Sequence, residues 1–195
     1  MQKWEVKDFV LSGILAALTF ALAFALGAGI ILATGIPATG GIANIFLSVL
    51  VLIIGVQLVP KFGFGTLTIA LVFTFAIPTI IGGPPGVYKI LNGIVIGLVA
   101  DIILVLGHRK RWAHILAGAL GAVTSILSVY AALLLLKLPG ASRLAPLLLP
   151  LTLMQAVLGA AAGWVGLQIF ERRLSKLTSV QRLMARSAEP EGTRG

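Results

Sequence analysis

From Phe9 to Phe170 the chain is a succession of six apolar runs, separated by short interruptions rich in Gly, Pro and basic residues. They extend over Phe9–Ala33, Ile42–Val59, Thr66–Ile81, Pro85–Leu106, Ala113–Leu136 and Pro146–Phe170. Most of them match the ~20 residues that a helix needs to cross a bilayer core, and the second and third sit near the short limit of ~17. Inside a bilayer every backbone N–H and C=O has to be satisfied within the protein, which restricts such runs to helices. The expected fold is therefore all-α, an integral membrane protein of six transmembrane helices, multi-pass in the cell membrane with the lipid bilayer as its solvent.

Composition agrees: the chain is 58% hydrophobic and 11% charged, with a mean hydropathy of +1.08. The formal charge of +9 does not point to nucleic acid, because the cations lie in short segments between apolar runs and form no soluble basic surface. They act instead as topology signals. Lys3, Lys7, Lys61, Arg109, Lys110, Arg111, Arg172, Arg173 and Lys176 fall on one side, against Lys137 and Arg143 on the other. Both termini are thus expected in the cytoplasm. The first run exceeds the ~7–15-residue apolar core of a cleaved signal peptide and is expected to be retained. Two parts are expected: a six-helix transmembrane domain over 1–173 and a basic cytoplasmic tail over 174–195. The tail's first half has helical spacing, and the end beyond Ala188 is expected to be disordered.

Chemistry concentrates in the fourth run. After the breaker Gly82-Gly83-Pro84-Pro85-Gly86, the residues Lys89, Gly93, Gly97 and Asp101 recur every fourth position and form one stripe on a helix. Glycines allow close approach of a neighbouring helix, so the polar ends of the stripe face protein or a cavity. Lys89 and Asp101 are about 18 Å apart along the axis at 1.5 Å per residue and cannot pair. Two readings of Lys89 are open: snorkelling to the headgroups, or lining an outward pocket with Tyr88 and Asn92 for a ligand with an acceptor group. Asp101 reads either as a structural partner of a nearby cation or helix, or as a coupling or proton-relay group.

Asn44 near the outer start of the second run and Gln155 on the sixth are the other polar groups at depth. Gln155, Gly159 and Gly163 make a second small-and-polar stripe, expected to meet the fourth helix. Thr124, Ser125 and Ser128 on the fifth run are weaker candidates, since hydroxyls can bond their own helix backbone. Together these residues predict a pocket among the fourth, fifth and sixth helices, capped by the outer loops. On the first run, Gly13, Ala17, Ala21, Ala25 and Gly29 also recur every fourth residue with almost no polar neighbour beyond Ser12 and Thr19. So smooth a face suits close contact with another helix, in this chain or in another subunit.

An enzyme is not expected. The sequence has no G-x-S-x-G elbow and no phosphate-binding G-x-x-x-x-G-K-[ST], no cysteine, and six acidic residues in all. His108 and His114 lack a second ligand cluster, so neither a metal site nor a cofactor is expected.

Over about Lys3 to Arg173 the chain resembles the substrate-binding S-components of energy-coupling factor (ECF) vitamin transporters, which are ABC-type importers. The resemblance rests on size, six helices, the helix-1 face Gly13/Ala17/Ala21/Ala25, and Gly-Pro-Pro-Gly leading into Lys89–Asn92. It implies vitamin uptake: capture of a vitamin or precursor from outside, with a transmembrane coupling subunit and two ATPase subunits as partners. It also implies a small body that topples in the membrane to release its cargo inward. Carried over, Ala17 and Ala21 are docking positions, and Lys89, Asn92 and Gln155 ligand contacts. Two alternatives come from other classes: a self-contained permease or channel using Asp101, and an assembly subunit of a membrane complex that binds no ligand.

Overall fold

In the computed structural model, residues 3–34, 39–79, 85–137, 141–178 and 180–181 are described, and among them the regular structure is entirely helical. The helices are α1 (Val6–Thr34), α2 (Thr39–Leu58), α3 (Phe64–Phe75), α4 (Tyr88–Leu106), α5 (Arg111–Leu135), the single turn α6 (Ala141–Leu144) and α7 (Leu148–Arg172). The sixth apolar run is thus α7. Four segments are long and apolar enough to cross a membrane: Val6–Ile30, Tyr88–Leu106, Arg111–Leu135 and Ala145–Lys176. Asn44–Leu58 and Phe64–Phe75 are apolar but shorter.

The third run ends earlier than its apolarity predicts. Instead of continuing to Ile81, α3 stops at Phe75 with Ala76 as its C-cap. The cause is Pro78, which disfavours helical backbone at the residue before it and brings no N–H of its own. A one-turn 3₁₀ segment, Leu174–Lys176, follows α7. Of the residues whose spacing predicts a helix in the tail, Leu174 falls in this 3₁₀ turn and Leu177 is extended, so the helix does not run on unbroken from α7; Leu183, Met184 and the end beyond Ala188 lie outside the described residues.

The long helices close into a ring in the order α1, α3, α4, α5, α7, α2 and back to α1, with α2 also touching α3 and α5 across it. The inward position of α2 follows from its sequence: Val49, Leu52, Ile53 and Val56 are all buried and form the middle of the core with Phe64 and Ala117. Small residues set the spacing elsewhere. In lipid, helices gain little from burying apolar area against each other, so close backbone contact carries the packing. A Cβ at Gly97 of α4 would lie directly against Thr66 Cα of α3, and one at Gly118 of α5 directly against the Gly159 carbonyl of α7. Only glycine lets those pairs meet.

One end of the bundle carries most of the cations and is closed by polar contacts. Lys61 donates to Asp8 Oδ2 at 2.6 Å and to the Lys3 carbonyl at 2.7 Å, and Asp8 Oδ2 also accepts from Glu5 N at 2.8 Å. This buried pair joins the start of α1 to the α2–α3 turn. Trp4 packs there between Phe9 and Phe64, with ring centroids 5.1 and 6.4 Å away, over Gly63, whose φ of 88° belongs to the left-handed region. Removing one partner of a buried pair strands the other charge. Lys61→Met is therefore expected to cost about 2 kcal/mol, limited because Asp8 keeps its bond to Glu5 N. The double change Asp8→Asn/Lys61→Met is expected to restore most of that loss, as read by thermal unfolding in detergent.

Candidate functional site

Two adjacent stripes of α4 do different work. The stripe Lys89/Gly93/Gly97/Asp101 lies along α3, with a Cβ at Gly93 coming within 2.9 Å of Ala70 Cα. At one end of this contact, Asp101 accepts from Thr66 N at 2.8 Å, Thr66 Oγ1 at 2.7 Å and Gly65 N at 3.3 Å. These are first-turn amides of α3, so a carboxylate from the neighbouring helix caps it. At the other end Lys89 Nζ donates to the carbonyls of Ala76 at 3.0 Å and Thr79 at 2.6 Å, just past the end of α3. The anion sits at the positive end of the α3 dipole and the cation at the negative end. The spacing of Lys89 and Asp101 matches the length of α3, which is why one stripe serves both ends.

Lys89 has no exposed surface. It does not snorkel, because the nearby carbonyls give its ammonium the acceptors that headgroups would otherwise supply. For Asp101 the structural reading holds, with a helix terminus rather than a cation as the main partner. Arg109 lies near enough for its charge to be felt at Asp101, and its Nη1 donates to the Val56 carbonyl in the last turn of α2 at 2.9 Å. Burial pushes the Arg109 guanidinium below its ordinary value, and Asp101 partly offsets that.

The neighbouring stripe of α4, Asn92/Ile96/Ala100/Leu104, is buried toward the core. Ile96 Cγ2 lies 3.9 Å from a Cβ placed on Gly121 of α5. Gln155 lies one turn before Gly159 on α7, and a Cβ at Gly159 would lie against the Gly118 carbonyl and 2.7 Å from Ala122 Cβ. Asn92 lies one turn before Ile96 in the same sense, away from the basic end. The register of both helices on the Gly118–Ala122 segment of α5 therefore puts Asn92 and Gln155 in one layer, at a similar height about one turn beyond that segment. Their relative exposures are 4% and 7%. Among the described residues neither Asn92 Nδ2 nor Gln155 Oε1 has a hydrogen-bond partner.

The other expected site residues are dispersed. Asn44 is turned toward α1, its Oδ1 2.9 Å from a Cβ placed on Gly27, and this oxygen too has no partner among the described residues. Tyr88 is half-buried at the start of α4. The Gln155/Gly159/Gly163 stripe does not meet α4 as expected: Gly159 packs on Gly118, and a Cβ at Gly163 would lie 2.7 Å from the His114 carbonyl, so the partner is α5. The breaker at Gly82–Pro84 lies outside the described residues.

Sequence reading missed Thr66, whose backbone and hydroxyl both hold Asp101, and Gln57, whose Nε2 lies 2.9 Å from His114 Nε2. His114 Nδ1 is 3.0 Å from the Lys110 carbonyl, which can only accept. Nδ1 therefore carries the proton, and Nε2 accepts from Gln57. A polar residue one helical turn from the end of a run, as Gln57 is from Pro60, was the available signal.

On α1 the two faces separate cleanly. Ser12, Ala16, Thr19 and Ala23 are buried against the bundle, with Ser12 Oγ 3.0 Å from Thr68 Oγ1 of α3. Ala17, Ala21 and Ala25 are exposed, and a Cβ at Gly13 or Gly29 would meet nothing within 4 Å. The small-residue stripe is thus uncovered by the described helices of this chain. Compared with protein-family models, with curated proteins and with solved structures, the chain gives no match in any of the three.

Proposed function

We propose that this chain is the substrate-specificity subunit of an energy-coupling-factor-type importer, spanning the cell membrane six times with both termini in the cytoplasm. It captures a vitamin-sized nutrient from outside, and a transmembrane coupling subunit with ATPases supplies the energy; the chain itself is not an enzyme. The observation that carries this reading is the uncovered small-residue face of α1. A helix face that is smooth enough for backbone contact, but has no partner among the described residues of the chain, suits a partner helix in another subunit. The partnerless amide atoms of Asn92 and Gln155 favour a ligand-binding subunit over an assembly subunit without ligand. A permease working through Asp101 gains no support from a carboxylate that already holds the start of α3.

Ala17→Trp/Ala21→Trp tests this directly. Both side chains are exposed, so thermal stability and ligand retention are expected to be unchanged. Uptake by cells is expected to fall at least about tenfold, equivalent to 1.4 kcal/mol of lost docking, with loss of the co-purifying coupling subunit. Unchanged uptake would overturn the proposal.

A further inference from the structure

We propose that Asn92 and Gln155 together read one uncharged amide-like group of the ligand, Asn92 Nδ2 donating to its carbonyl oxygen and Gln155 Oε1 accepting from its N–H. This rests on the reading of the chain as a capture subunit and adds the chemical class of what is captured. Buried polar atoms in folded proteins are nearly always bonded, and one left without a partner costs about 1–3 kcal/mol. Here two such atoms occur in one layer on helices that flank α5, and they are of opposite kind, a donor and an acceptor. Two orphans of the same kind would call for a carboxylate or a diol. A donor with an acceptor calls for a group carrying both C=O and N–H: a secondary amide, a lactam, a ureide or the equivalent edge of a heterocycle.

The charges among the described residues favour an uncharged group at this position. The described buried ionisable residues are Asp8, Lys61, Lys89, Asp101 and His114. Asp8 and Lys61 bond each other at the basic end. Lys89 and Asp101 lie on the α3-facing stripe of α4 and hold the two ends of that helix. His114 lies between the Lys110 carbonyl and Gln57. Lys89 stands less than one turn from Asn92, but its ammonium is held at the end of α3 by the Ala76 and Thr79 carbonyls, and Asp101 lies about 2.5 turns from Asn92 along α4; among the described buried residues a ligand's carboxylate or ammonium would thus find no unengaged counter-charge at Asn92 and Gln155. The acceptor-bearing ligand that Lys89 suggested in the sequence gives way to a neutral amide read by Asn92, because the Lys89 ammonium is already held by the Ala76 and Thr79 carbonyls.

The test uses the purified full chain in detergent and ligand-observed NMR with four small probes. N-methylacetamide and δ-valerolactam carry C=O and N–H in the trans and cis arrangements; N-methyl-2-piperidone keeps only the carbonyl, and acetate carries charge. At least one of the two N–H amides is expected to bind. N-methyl-2-piperidone is expected to bind at least about tenfold more weakly, the value of one hydrogen bond, and acetate not to bind. Asn92→Leu and Gln155→Met are each expected to abolish amide binding while leaving the melting temperature unchanged or higher, since each removes a buried atom without a partner. A structural role for these amides would lower it. Failure of both N–H amides to bind, equal binding of N-methyl-2-piperidone, preference for acetate, retained binding in either variant or a lowered melting temperature would each overturn the assignment. If it fails while Ala17→Trp/Ala21→Trp still abolishes uptake, the importer reading stands without it; amide recognition with uptake indifferent to those tryptophans gives the reverse.

Discussion

Gly159→Val is expected to prevent folding of the bundle, giving aggregated protein in size-exclusion chromatography and no cooperative thermal transition. A Cβ at this position lies directly against the Gly118 carbonyl and 2.7 Å from Ala122 Cβ, and the contact is reciprocal, since a Cβ at Gly118 lies against the Gly159 carbonyl. Side chains can rotate away from an added methyl, but two helix backbones can only move apart. Ordinary overpacking costs about 1–3 kcal/mol. Forcing α5 from α7 along their whole contact costs more, about 4 kcal/mol or above, which is comparable with the total stability of many domains. Gly121→Ala is the control. It lies on α5, three residues from Gly118, but its added carbon meets Ile96 at an ordinary 3.9 Å, and stability is expected to change by less than about 0.5 kcal/mol.

The second large effect is at Asp101. Replacing it with alanine strands Gly65 N, Thr66 N and the Thr66 hydroxyl in the interior and removes the negative charge from the start of α3. A loss of about 4 kcal/mol is expected, with faster hydrogen exchange in the first turn of α3. Asp101→Asn keeps the shape and one acceptor oxygen, so about half of that loss is expected. If Asp101 served instead as a proton relay, Asp101→Asn would leave stability intact and abolish transport. The helix-cap account therefore predicts the opposite pattern: stability falls, and ligand binding by the protein that does fold is retained.

Much of this architecture was readable from periodicity. Lys89, Gly93, Gly97 and Asp101 do form one face, and the glycines do mark a close helix contact. What periodicity does not give is the identity of the facing helix. A stripe of small residues fits any neighbour of similar smoothness, and the α4 stripe was matched with that of Gln155/Gly159/Gly163, when α4 meets α3 and α7 meets α5. The role of Lys89 was hidden for a related reason. Its acceptors are backbone carbonyls of Ala76 and Thr79, which have no sequence signature; they become available because Pro78 ends α3 early. On α1 the reverse holds. The small-residue face could be read, but whether it turned inward depended on Ser12 and Thr19. Those two residues, bonding to Thr68 and to the Leu15 carbonyl, lie on the buried side and leave Ala17, Ala21 and Ala25 outside.

The central claim is that the chain alone captures its cargo, and native mass spectrometry of the protein purified in mild detergent without partners tests it most directly. The account predicts a species heavier than the bare chain by one vitamin-sized, uncharged molecule, released on denaturation and absent from Asn92→Leu. A spectrum showing only the bare chain, from cells supplied with a full range of nutrients, would contradict it.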